Sequence, residues 1–148
     1  GLQASAMIAP NPDLREKIAA IHKKQGFFTL NTFGIVGMET AYRFGGAWLE
    51  EILVYLQENV RVTKEFIGDH LPHLQLVDPE GTYLLWIDCT KMELSDEELK
   101  ERLLDKGKLA LEPGTKYGPG GEGFVRMNIA CPRGTLMDGL ERLRKALG

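Results

Sequence analysis

The stretch GEGFVRMNIACPRG, residues 121–134, has the pattern of a buried β-strand with an arginine in its middle. Side chains alternate between the two faces of such a strand, and alternation places Arg126 on one of them. Phe124, Asn128 and Ala130 share the face of Arg126, whereas Val125, Met127 and Ile129 face the other way. The stretch therefore predicts a sheet with an apolar face for a core and an opposite face that carries a positive charge.

The charge of Arg126 requires a partner, because desolvating a guanidinium costs free energy unless a carboxylate or several acceptors compensate. An internal partner would be the carboxylate of Asp88 or of Glu112, and an external partner would be a ligand. A planar guanidinium binds a carboxylate through two parallel hydrogen bonds, which makes arginine the usual residue for holding an α-carboxylate. The strand pattern alone leaves both alternatives open.

The segment after residue 72 has the element order β-β-α-β-β-α. The predicted strands are residues 74–78, 82–88, 109–112 and 124–130, and the predicted helices are residues 95–106 and 135–147. Ser95 and Glu98 have the spacing of a capping box, and Gly107 is a typical helix stop. The pattern also predicts the place of three further side chains. Tyr83 and Trp86 are expected in the core, and Arg133 is expected at the surface or at the start of the closing helix.

The segment before residue 72 is predicted to be mainly helical. Asn11 and Pro12 have the residue types of a helix start. The predicted elements are a short buried strand at residues 4–9, a helix from residue 12 to a stop at Gly26, a helix from residue 31 or 32 to residue 44, and a long helix at residues 47–71. The long helix would span about 37 Å, and a helix of that length often bridges two lobes.

Together these elements predict an α/β fold. Its C-terminal part is a small α+β domain, in which helices cover a mixed or antiparallel sheet, and a long interdomain helix precedes it. The predicted domain boundaries give residues 1–46, the long helix at 47–71, and the small domain at 72–148.

Composition narrows the classes of partner. The 148 residues include 18 basic and 21 acidic side chains, and the net charge of −3 argues against nucleic-acid binding. No run approaches the ~20 apolar residues of a membrane span, and no signal pattern begins the sequence, so the cytoplasm is the expected location. Cys89 and Cys131 are isolated, and both are expected to act as small core hydrophobes.

Two further motifs have simple explanations. Gly118-x-Gly120-x-x-Gly123 has the spacing of a dinucleotide-binding fingerprint, but a strand follows it where that fingerprint requires a helix. We therefore expect a flexible connection beside a pocket. His70 and His73 could form a metal pair, but Pro72 breaks the helix between them and no third ligand is evident, so a solvated helix end is expected.

Residues 112–133, EPGTKYGPGGEGFVRMNIACPR, resemble the C-terminal signature of fold-type I pyridoxal-phosphate enzymes. The resemblance is closest to the aminotransferase branch that includes the cystathionine β-lyases, also called C–S lyases. Residues 1–12 are similar to the segment that follows the cofactor lysine of that family, and residues 41–50 are similar to the start of its long interdomain helix. The resemblance extends over essentially the whole chain, and residues 112–133 are its most specific part.

The resemblance implies a role for several residues. Arg126 matches the arginine that binds the α-carboxylate of the substrate, and Gly114 and Tyr117 match positions in the loop before it. Residues 1–46 correspond to a remnant of the large cofactor-binding domain, and residues 27–32 to the place where the neighbouring subunit approaches the cofactor. The implied cofactor is pyridoxal 5'-phosphate, and the implied assembly of the full-length enzyme is a homodimer.

The catalytic lysine of this family is expected a few residues before Gly1, together with the groups that anchor the cofactor. Lys23, Lys24 and Lys91 lie on predicted solvent-facing surfaces and do not replace it. No catalytic or cofactor-binding residue is therefore assigned to this chain, and the chain alone is expected to be inactive and not to bind pyridoxal phosphate.

The leading hypothesis is thus the C-terminal part of an aminotransferase or C–S lyase that acts on amino acids and contributes the carboxylate-binding arginine. A non-catalytic module that binds amino acids is the alternative, because the β-β-α-β-β-α segment is similar to small regulatory domains. A purely structural or partner-binding lobe is a third hypothesis.

Overall fold

The structure, a computed structural model, describes residues 2–26 and 29–148. Two compact units divide the chain, Gly1–Glu51 and Ile52–Gly148, and the division falls within the longest helix. Segment 27–32, which was expected to approach a neighbouring subunit, includes Phe27 and Phe28, and these two residues lie outside the described ones. Among the described residues, no helix is both long and apolar enough to cross a membrane.

The first unit contains helices α1, Pro12–Gln25, and α2, Thr32–Phe44, and the start of α3, Gly46–His70. The Asn11 side chain accepts hydrogen bonds from the backbone N–H groups of residues 13 and 14, and Gly26 ends α1 in the left-handed conformation. Asn31 caps α2 in the same way. These contacts confirm the predicted helix starts and stops, because each depends on residues within one turn.

The strand predicted at residues 4–9 is wrong. Residues 2–9 form neither strand nor helix, and the sheet of the described chain is built from segments between residues 75 and 128. A strand requires a neighbouring strand to pair its backbone N–H and C=O groups. An apolar run alone does not supply that partner.

The second unit is built on a four-stranded antiparallel sheet in the order β1-β2-β4-β3. Its strands are β1, Gln75–Leu76, β2, Leu84–Asp88, β3, Glu112–Pro113, and β4, Phe124–Asn128. The element order β-β-α-β-β-α and the antiparallel sheet are confirmed. The strand predicted at residues 109–112 begins later, because the Leu109 N–H donates to the Leu103 carbonyl and completes the preceding helix instead of joining the sheet.

Two helices follow the predicted positions within this unit. The first, α4, Asp96–Glu101, begins with the predicted capping box of Ser95 and Glu98 and continues as a π-helical turn, Arg102–Lys106. Gly107 follows this wider turn, where a Cβ would lie 2.8 Å from the Arg142 carbonyl oxygen, so the close approach requires glycine. The closing helix, α5, is Arg133–Leu147.

The core lies on one face of the sheet. Alternate residues of β2 and β4 are buried there against the inner faces of α3, α4 and α5. The fully buried side chains include Leu71, Leu85, Ile87, Ile129, Leu136, Leu140 and Leu143. The other face of the sheet carries the half-buried residues of β2 and β4, and this is the face of Arg126.

Two predicted core residues lie outside this core. Trp86 is half-buried on the sheet face that carries Arg126, away from the core, so its prediction as a core residue is wrong. Tyr83, with 45% of its surface exposed, is not a core residue, and its prediction as one is wrong. Tyr83 precedes β2, where the alternation of the strand has not yet begun.

Candidate functional site

Arg126 lies at the centre of β4, with a neighbouring strand on each side. Antiparallel pairing places it opposite Trp86 of β2 and opposite Glu112 of β3. Its side chain is 24% exposed, on the face of the sheet that points away from the core. The strand pattern predicted this face correctly, because alternation fixes the direction of each side chain once the core is known.

The internal partner of Arg126 is Glu112. The Arg126 Nη2 donates to Glu112 Oε2 at 2.5 Å. The Asp88 carboxylate, the other internal alternative, accepts instead from the backbone N–H and the hydroxyl of Thr90. The Arg126–Glu112 pair is not sealed in the core, because 38% of the Glu112 side chain is exposed.

Glu112 is the centre of a small polar cluster. The Lys116 Nζ donates to its Oε1 at 2.7 Å, and the Tyr117 hydroxyl donates to its Oε2. These two hydrogen bonds, and to a smaller extent the charge of Arg126, lower the pKa of Glu112. The same contacts raise the pKa of Lys116 and of Tyr117, since each donates to the charged carboxylate.

Aromatic rings support the guanidinium of Arg126. Its Cζ lies 4.7 Å from the centroid of the Tyr117 ring, within the range of a cation–π contact. Tyr117 meets the ring of Trp86 edge-on at 5.3 Å between centroids, and Trp86 in turn meets Phe124 edge-on at 6.4 Å. These contacts restrict where the guanidinium can move, so it is held on the sheet face.

A glycine-rich loop connects β3 to β4 and holds the cluster in place. Its first turn, Gly114–Tyr117, carries Lys116 and Tyr117. The loop then folds back on itself, and a Cβ on Gly121 would lie 2.2 Å from the Gly114 carbonyl oxygen. Strand β4 follows this loop where a dinucleotide fingerprint requires a helix, and Gly118, Gly120 and Gly123 instead adopt the positive φ angles that favour glycine. Gly114 and Tyr117, which were expected in the loop before Arg126, both lie in this loop, and the Tyr117 ring contacts the guanidinium.

Arg126 borders two open depressions, one at the edge of the sheet towards α5 and one on the sheet face that carries Trp86. One, of about 600 Å³, is also lined by Glu112, Asn128 and the start of α5. The other, of about 320 Å³, is lined by Trp86, Tyr117 and the turn between β1 and β2. Small-molecule sites commonly occupy about 300–1,000 Å³. The guanidinium is thus accessible to a ligand of amino-acid size.

Sequence reasoning missed the contribution of Lys116. Its spacing of four residues from Glu112 is the available signal, since charged pairs at this spacing meet across one turn. Arg133 lies at the first position of α5, as predicted. Its Nη1 donates to the Glu58 carbonyl at 3.2 Å, and its backbone N–H donates to the Tyr55 hydroxyl at 2.8 Å. These contacts commit Arg133 to joining α5 and α3.

The lysines do not provide a cofactor-linking amine. Every lysine of the chain is exposed, as expected for Lys23, Lys24 and Lys91. A lysine that forms a Schiff base is activated by a lowered pKa, usually in a desolvated pocket. Lys116, the lysine in the Arg126 cluster, has a raised pKa because it donates to Glu112. The lysines of the described chain therefore do not fit the amine that anchors pyridoxal phosphate.

Other reactive side chains have structural surroundings. Burial raises the pKa of the Cys89 thiol to about 12, so it stays protonated and acts as the predicted core residue, whereas Cys131 is half-buried. His70 packs against the Phe66 ring, and the His73 Nε2 lies 2.8 Å from the Leu147 carbonyl oxygen. In the part of the chain that the structure describes, no three metal-ligating side chains come together.

Known proteins similar to this chain are enzymes. This chain is 46% identical over 147 residues to cystathionine beta-lyase PatB of Bacillus subtilis. The match covers 99% of this chain and 38% of PatB. A crystal structure of a PLP-bound putative aminotransferase from Clostridium difficile has 38% identity to this chain and a TM-score of 0.89. The match covers 95% of this chain and 36% of the aminotransferase chain.

The crystal structure of cystalysin from Treponema denticola, which contains a pyridoxal 5'-phosphate cofactor, has 32% identity and a TM-score of 0.87. The match covers 95% of this chain and 36% of cystalysin. No protein-family profile matches the chain. The chain therefore spans less than two fifths of the length of these relatives.

Proposed function

We propose that this chain forms one side of an active site for amino acids. The reason is that the chain belongs to the family of the cystathionine β-lyases and related pyridoxal-phosphate aminotransferases and corresponds to their C-terminal part. The relatives and the structural neighbours support the family and its cofactor. In this proposal the whole enzyme is an aminotransferase or a C–S lyase, and the chain contributes the recognition of the substrate.

Arg126 is the residue to which we assign this recognition. Its guanidinium lies on the sheet face away from the core, is partly exposed, and borders depressions large enough for an amino acid. Within the described part of the chain, Nη2 is the one nitrogen of the Arg126 guanidinium that donates a hydrogen bond. A carboxylate that accepted two hydrogen bonds from this group would be fixed in orientation as well as position. The partly exposed position of the Arg126 guanidinium beside these depressions is the observation that carries the proposal.

The remaining parts of the active site belong to other segments of the enzyme in this proposal. Pyridoxal phosphate, when bound, supplies the electron sink for chemistry at the α-carbon of the amino acid. This chain offers no buried amine to hold it, so we expect the chain alone to be inactive. We further propose that residues 1–46 belong to the large cofactor-binding domain, that residues 47–71 form the interdomain helix and that residues 72–148 form the small domain. In this proposal the whole enzyme is a cytoplasmic homodimer.

Titration with L-alanine tests the proposed role of Arg126. Followed by NMR through the indole N–H signal of Trp86, which pairs with Arg126 across the sheet, the chain should bind L-alanine with a Kd of about 1 mM or weaker. One partly exposed ion pair contributes only about 1 kcal/mol. Arg126→Lys should abolish this binding because the planar fork is lost. Arg144→Lys is the matched control, because Arg144 pairs with Glu141 on the surface of α5.

Two results would contradict this function. Binding that survives in Arg126→Lys would place the carboxylate elsewhere. Micromolar binding to the chain alone would instead favour the alternative, an amino-acid-binding module that works without chemistry.

A further inference from the structure

The guanidinium that we assign to the substrate already holds a carboxylate of this chain. Glu112 and Arg126 stand directly opposite each other in the β3–β4 pair, and Arg126 Nη2 donates to Glu112 Oε2 at 2.5 Å. Both side chains line the same depression of about 600 Å³. Glu112 thus occupies the kind of position that an incoming α-carboxylate would need.

This contact can be broken at moderate cost. Breaking a fully buried pair that is held through both ends of the guanidinium fork is strongly destabilising. Here one nitrogen is engaged within the described part of the chain, and the two side chains are 24% and 38% exposed. A single, partly exposed contact is one that a ligand can replace at moderate cost.

Glu112 also has other partners to which it stays bound when it leaves Arg126. The Lys116 Nζ lies 2.7 Å from Oε1, and the Tyr117 hydroxyl donates to Oε2. Both partners sit on the Gly114–Tyr117 turn, which directly follows β3. Breaking the contact with Arg126 therefore leaves the Glu112 charge compensated by Lys116 and hydrogen-bonded by Tyr117.

We propose that Glu112 is an internal competitor for the substrate carboxylate, which a ligand must displace from Arg126 in order to bind. The inference rests on the proposed function of Arg126. Displacement requires a group that compensates the guanidinium charge as Glu112 does. Glu112 therefore lowers the affinity of the site for free amino acids.

The L-alanine titration, repeated with Glu112→Gln, tests this inference. Glutamine keeps the size of the side chain but removes its charge, so L-alanine should bind about 10-fold more tightly or better. Glu112→Ala should also bind L-alanine more tightly, which guards against an effect peculiar to glutamine.

Glu141→Gln is the control, because it removes the carboxylate from another surface pair, that of Arg144, with the same change of net charge. Its affinity for L-alanine should equal that of the wild type. A general gain in positive charge would tighten binding in both variants and would overturn the inference.

The outcomes separate this inference from the function on which it rests. Equal binding at Arg126 in the wild type and in Glu112→Gln would leave the carboxylate role of Arg126 intact and would overturn the competition. No binding at Arg126 in either Glu112 variant would contradict the proposed function itself. A loss of fold cannot imitate the expected result, because unfolding weakens binding and the inference requires it to become tighter.

Discussion

Replacing Arg126 with lysine in the full-length enzyme should raise the KM for amino-acid substrates by about 10-fold or more. Lysine keeps the positive charge but loses the planar fork, so the carboxylate is held by one flexible point of charge. Arg126→Ala should have a larger effect, about 100-fold, because the charge is lost as well. Steady-state kinetics with at least two amino acids would measure both changes.

The full-length Arg144→Lys variant provides the control for these measurements. Arg144 is a surface residue of α5 whose guanidinium is paired with Glu141, so its KM should stay within about twofold of the wild type. An unchanged KM in Arg126→Lys would remove the substrate-binding role from this residue. A change of kcat with no change of KM would point to an effect on the reaction instead of on binding.

Replacing Leu140 with alanine should lower the free energy of unfolding of the chain by about 2–5 kcal/mol. Leu140 is 0% exposed and lies in the core between α5 and the sheet. The substitution removes buried apolar atoms and leaves a cavity that the surrounding side chains fill only in part. Urea unfolding followed by circular dichroism would measure the loss.

Leu104→Ala is the matched control for Leu140→Ala. The same atoms are removed from a side chain that is 41% exposed, on the π-helical turn after α4. Its cost should be about 1 kcal/mol or less. Equal losses in the two variants would show that α5 does not pack on the sheet as described.

The elements that sequence reasoning predicted well depend on nearby residues. Asn11 and Gly26 fix the ends of α1, and Ser95 and Glu98 fix the start of α4 through contacts within one turn. Strand β4 was predicted because its alternation is complete over five residues. In each case the decisive contacts lie within the segment that shows the pattern.

The elements that were wrong depend on distant partners. Residues 4–9 have the apolar character of a strand but no neighbouring strand in the described sheet. Leu109 has the residue type for a strand, yet its N–H completes the π-helical turn at Leu103. Neither outcome is visible in local composition, because both are decided by which backbone group is available to pair.

The candidate site shows the same division. Alternation placed Arg126 on the open face of the sheet, and the chemistry of a guanidinium limited its partner to a carboxylate. The choice between Asp88 and Glu112 required the register of β3 against β4, which sequence does not reveal. The register places Glu112 opposite Arg126, whereas Asp88 lies near Thr90 and accepts its hydrogen bonds.

A crystal structure of the full-length enzyme with a bound amino acid tests the central claim most directly. We expect both oxygens of the α-carboxylate to lie about 3 Å from guanidinium nitrogens of Arg126, with Glu112 moved away and still held by Lys116. A bound amino acid whose carboxylate is held by other residues, beside an intact Arg126–Glu112 pair, would contradict the claim.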